Sequence, residues 1–160
     1  MKYILPLLFA TGLAASAEDT VDAATKEKLM TEGKTNFMTC VACHGMDGKG
    51  MKPAPTMVFA PSLAGSKLAI GDPEVFTQIV LKGIQKEGTE YMQVMAPLEA
   101  GLDDPKLASV LTYVRNSFGN KASAITPEQV KTWRAKHKDR KQPYSRAELA
   151  EFTKKAGDAK

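Results

Sequence analysis

A chain of 160 residues, 43% hydrophobic and 25% charged, has the length and composition of one globular domain with a short appendage, which excludes a disordered or fibrous protein. The net charge of +4 comes without nucleic-acid motifs or interleaved aromatics, so no nucleic-acid partner is expected. Eight Met against one Trp, four Tyr and six Phe suit a modest aliphatic core that gains apolar mass from something other than protein.

The chain opens with "MKYILPLLFATGLAASAEDT". Lys2, the apolar run Ile4 to Leu13 and the small-x-small site Ala15-Ser16-Ala17 read as a signal peptide over residues 1–17. The apolar run is shorter than the ~20 residues needed to span a bilayer. The mature chain is therefore expected to be exported, to a periplasm, without a membrane span. "ATKEKLMTEGKTNFMTC" follows with helical spacing through Leu29, Met30, Gly33, Phe37 and Met38 and runs into "CVACHG", residues 40–45. A Gly- and Pro-rich loop leads to "GDPEVFTQIVLKG", a helix capped by Asp72, with Pro73 at its first position and Gly83 as its stop. After the loop "KEGTEYMQVMAPLEAG", "LDDPKLASVLTYVRNSFGN" repeats the device with Asp104 and Pro105. Leu107, Val110, Leu111, Val114 and Phe118 form its apolar stripe, and Gly119-Asn120 ends it.

Beyond Asn120 the register changes. Residues 18–120 carry 10 basic against 13 acidic side chains, whereas 121–160 carry 11 against 5. Such a basic run is more often a solvated helical face than a docking surface for an acidic partner. Two short helices are expected here: one opens at Thr126-Pro127, and the other has the capping box Ser145 with Glu148. Their narrow apolar faces require packing against the body through Trp133, Leu149 and Phe152. Residues 1–17, 18–120 and 121–160 thus read as leader, body and basic helical extension.

The only two cysteines, Cys40 and Cys43, stand three apart with His44 directly behind. In an oxidising compartment a disulfide of that spacing would join nothing distant. A zinc site lacks ligands, since the only other histidine is His137, and a thioredoxin-like pair lacks its βαβ surroundings. C-x-x-C-H is the attachment signature of c-type haem. In a helical turn both sulfurs share one side, where each can form a thioether to a haem vinyl group, and His44 can bind the iron.

With "EGKTNF", "CVACHGMDGKG", "APSLAGS", "YMQVMAPL" and "LASVLTYVRNSFGN" in this order, the stretch from Leu29 to Asn120 resembles the class I mono-haem cytochrome c family. The extension looks like that of a bacterial subgroup whose haem domain often accompanies exported dehydrogenases. The resemblance implies an all-α fold wrapped around one covalently bound haem c. It implies Met95 as the distal iron ligand and the Pro61 carbonyl as the acceptor of the His44 ring N–H. It also implies that Gly33 and Phe37 on the first helix meet Tyr113 on the last. Phe37 lies three residues before the first cysteine, where four is common in the family, and Met95 is followed by Ala96-Pro97 instead of directly by Pro. Met92 remains the alternative sulfur.

His/Met ligation would fill both axial positions and suit a one-electron carrier, not an enzyme. Its expected partners are a dehydrogenase, a cytochrome complex or a terminal oxidase, met as a monomer over small residues such as Ala42, Ala54 and Ala96. Two alternatives stand beside it: a haem-based ligand sensor, and an electron-transfer subunit held tightly on an exported dehydrogenase.

Overall fold

The computed structural model describes residues 21–88, 91 and 94–158. The expected leader, residues 1–17, and Met92 lie outside the described residues. The described chain is helical, with three isolated bridge pairs and no strand among those residues.

Helix α1, Ala23–Asn36, starts where the Asp22 carboxylate accepts from the Thr25 N–H. It tightens into a 3₁₀ turn, Phe37–Thr39, which absorbs the unusual spacing between Phe37 and Cys40, and then gives the single turn α2, Val41–His44. After a long loop come α3, Lys67–Ile70, and α4, Pro73–Lys82, the latter capped by Asp72 as its sequence implies. Helix α5, Asp104–Asn116, departs from expectation by one residue: the capping carboxylate is Asp103, which accepts from the Lys106 N–H, and Asp104 lies in the first turn. Its far end also comes earlier, at Asn116, because Ser117 is extended; Phe118 beyond it has a φ of 60° and packs on the main cluster. Helix α6, Pro127–Lys136, carries a full capping box of Thr126 and Gln129, and α7, Arg146–Asp158, begins behind Ser145 and Glu148.

The core is the crossing of α1 over α5. Gly33 is what allows it, since a Cβ there would lie 2.1 Å from the Ser109 carbonyl oxygen. Beside the crossing, Phe37 packs its ring 5.4 Å from both Tyr113 and Phe118. The stripe Leu107, Val110, Leu111 and Val114 is buried. Arg115, only 2% exposed, spends its guanidinium on the carbonyls of Ala69, Gly71 and Ser123 and the Ser123 hydroxyl. It thereby ties α3 and the chain after α5 to one helix end.

The extension packs on this body as its apolar residues require. Val130 is buried, Trp133 packs on the main cluster, and Leu149 and Phe152 join Tyr144 and Ile79 in a second one. Several of its charges are internal partners: Arg134 meets Asp104 at 2.7 Å, and Lys136 and His137 both reach Glu74. Tyr144 is laced to the body through its backbone, donating to Gly83 O at 3.0 Å and accepting from Gln85 N at 2.9 Å.

Candidate cofactor site

The end of α1 delivers the hook. The Cys40 carbonyl accepts from the N–H groups of Cys43 and His44, so residues 40–44 form one helical turn with both thiols on the same side. The two cysteines are not bridged. Burial, and secondarily Cys43, raise the Cys40 thiol to about 11, so Cys40 is held as a thiol in the bare polypeptide. The chain after the hook folds back on it: Gly50 N donates to His44 O and Met51 N to Cys43 O, each at 2.9 Å.

This fold-back carries Pro61 to the imidazole. Burial pushes His44 below its ordinary value, and the Pro61 carbonyl works in the opposite direction. His44 Nδ1 is buried yet closes no hydrogen bond of good geometry. The Pro61 carbonyl thus lies near enough to act on the ring electrostatically without a well-formed bond. The neutral ring that burial favours is the form that binds a metal ion.

Met95 comes from the other side of the sequence. Gly83 ends α4 with a φ of 77°, and a Cβ there would lie 2.5 Å from the Met95 carbonyl oxygen. Ile84 N donates to that oxygen at 2.8 Å and Leu98 N to Val80 O at 3.1 Å, which seats the loop against α4.

Cys40, Cys43, His44, Pro61 and Met95 all line a single cavity of about 230 Å³. That is more than ten times the space a buried water needs. Its walls are apolar, from Phe76, Ile79 and Val80 of α4 to Val110, Leu111 and Val114 of α5. Among the described methionines Met95 alone lines it, while Met51 and Met57 do not. Of the small residues expected at an exposed edge, Ala96 is exposed and lines the cavity; Ala42 and Ala54 do not line it. The sequence pattern did not single out the wall residues of α4, although the uninterrupted "IVL" could have suggested a helix buried on more than one side. Nor did it mark Arg146, which reaches the cavity from the extension.

Residues 30–118 match the family model Cytochrome c. The chain belongs to the cytochrome c family. It is 31% identical over 81 residues to cytochrome c-554(548) of Halomonas halodenitrificans, covering 51% of this chain and 87% of that protein. It is also 29% identical over 103 residues to the fructose dehydrogenase cytochrome subunit of Gluconobacter japonicus, covering 60% of this chain but only 20% of that subunit.

The cofactor of this cytochrome is haem c, covalently attached, and electron transfer is the chemistry of the family. The site suits such a group: a large apolar cavity, two unbridged thiols spaced as C-x-x-C-H, and a half-buried imidazole whose buried Nδ1 is orphaned. No cluster of three or more His, Cys, Asp or Glu that could hold a bare metal ion exists among the described residues. No described helix is long and apolar enough to cross a membrane.

Proposed function

We propose that this cytochrome is an exported, periplasmic one-electron carrier. In this reading Cys40 and Cys43 would hold the haem through thioethers, and His44 and Met95 would supply the nitrogen and sulfur donors to its iron. Residues 1–17 are the leader, 18–120 the haem domain and 121–160 the extension. The observation that supports the reading is that two thiols, an imidazole and a thioether, drawn from segments fifty residues apart, line one apolar cavity.

Bound haem would supply the one-electron chemistry of its iron. The protein's own part is to choose the donors and exclude water. His44 offers a neutral nitrogen, with Pro61 beside the ring to orient it. Met95 offers a soft sulfur that raises the potential. With both donors engaged no coordination position stays open, which disfavours the sensor. Exposed Met38 and Met46, on either side of the hook, give an apolar contact for a redox partner.

The intact mass of protein matured with a haem-attachment system should exceed that of the polypeptide by one haem. Carbon monoxide should leave the spectrum of the reduced protein unchanged. A bare polypeptide mass overturns the reading, and a fast, complete spectral shift favours the sensor. The likeness to a dehydrogenase cytochrome subunit supports a second reading, a subunit fixed on an exported dehydrogenase. Co-purification of a dehydrogenase that is lost on deleting residues 121–160 would favour it over a diffusing carrier.

A further inference from the structure

We propose that Arg146, from the C-terminal extension, binds a haem propionate, which makes the extension part of the cofactor site. This rests on haem occupying the cavity, as proposed above. Arg146 lies outside the segment that matches the family, residues 30–118. Yet it lines the cavity, and it is the one Lys, Arg, Asp or Glu side chain to do so among the described residues.

Its Nε is buried and has no hydrogen-bond partner among the described residues. A buried guanidinium N–H without an acceptor is costly, so the site calls for an anion. The Glu87 carboxylate does not answer that need through Nε, because both its oxygens face the Arg146 backbone N–H at 3.2 Å. The Arg146 guanidinium carbon lies over the Tyr91 ring, 5.9 Å from its centroid.

The rest of the cavity wall explains which anion fits. Leu68, Ile79 and Ile84 line the same cavity and cluster with Leu149 of α7, and a free, hydrated anion would have to enter this apolar space at high cost. A carboxylate carried into the cavity on an apolar ring meets no such barrier. Haem bears two, on the edge opposite its thioether positions. Cys40 packs on the main apolar cluster, whereas α7, from which Arg146 projects, is seated on the second through Leu149. Guanidinium and carboxylate then pair in the forked geometry for which arginine is suited.

Arg146 is also held in place beforehand. The Ser145–Glu148 capping box fixes the start of α7, and Arg140 clamps Glu148 at 2.9 Å. The backbone of Tyr144 joins Gly83 and Gln85, and the intervening Ile84 bonds Met95. One strap thus connects the propionate-binding side chain to the loop of the proposed distal ligand. A cation beside the propionate cancels negative charge that would otherwise favour ferric iron, so Arg146 raises the potential.

The test uses the full-length holoprotein, with haem attachment verified by mass so that loss of cofactor and loss of this contact are told apart. Arg146→Gln should shift the ferric/ferrous ratio at fixed potential roughly tenfold toward ferric, ~59 mV for a one-electron couple. Arg146→Lys, which keeps the charge, should recover most of the shift. Haem-loaded Arg146→Gln protein with an unchanged potential overturns the proposal, even if its melting temperature falls. Should Arg146→Gln fail to mature, proton NMR of the ferrous wild-type protein decides. A cross-peak between the Arg146 side chain and a propionate methylene is expected, and its absence overturns the assignment.

Discussion

At the scale of single residues, the atoms that matter most are those with no room to vary. Gly33 sits against the Ser109 carbonyl, and an added methyl would have to move one helix off the other. Alanine gains up to ~1 kcal/mol in helix propensity but incurs roughly 1–3 kcal/mol or more of overpacking against backbone. Gly33→Ala is therefore expected to lower stability, read as a reduced denaturation midpoint with an unchanged slope. Met95 is decided by chemistry instead of space. Met95→Ala should abolish the sulfur-to-iron charge-transfer band of the ferric protein and lower its potential by roughly 0.1–0.3 V, within the ~0.8 V that axial ligands command. Met92→Ala should leave both unchanged, and the reverse pattern would transfer the ligand role to Met92.

At the scale of elements, every helix except the single turn α2 starts at a side-chain acceptor and, in three cases, with a proline in the first turn. Such caps contribute about 1 kcal/mol each and fix where a helix begins, not what it packs on. The cap of α7 has a pH signature. Glu148 is lowered from its ordinary 4.5 to about 2, first by the hydrogen bond from Arg140 and then by the Ser145 N–H. A carboxyl depressed in the folded state contributes its stability fully above the unfolded value and loses it as pH falls through the folded value. The window here runs from about 4.5 down to about 2. The melting temperature of Glu148→Gln should lie below wild type at neutral pH, with the gap closing as pH falls through that window. The gap will be small, because the pair is partly open to solvent.

At the scale of the whole molecule, the fold surrounds a space that its own side chains do not fill. A residual cavity costs about 24 cal/mol per Å³ in a close-packed core. For about 230 Å³ that amounts to on the order of 5 kcal/mol as an upper figure, since this cavity is partly open. The whole stability of a domain is ~5–15 kcal/mol. The haem is therefore expected to be part of the core. A Cys40→Ala/Cys43→Ala double variant produced without haem should retain helical far-ultraviolet dichroism, lose near-ultraviolet signal and bind a hydrophobic dye. A cooperative melting transition equal to that of the holoprotein would contradict this.

The sequence alone determined the local and the covalent features. Spacing of three between Cys40 and Cys43, with His44 next, is a property of one helical turn. The caps at Asp72, Thr126 and Ser145 depend on residues within three positions of one another. Even there the expected cap Asp104 was one residue off, since the carboxylate that meets the Lys106 N–H is that of Asp103. The tertiary structure decided everything that depends on contacts across tens of residues. It set Pro61 beside His44, the Gly83 turn beneath Met95, and the basic extension against Glu74 and Asp104. It also carried Arg146 to the cavity wall. No periodicity encodes such meetings, because they arise only when buried faces from distant segments compete for one core.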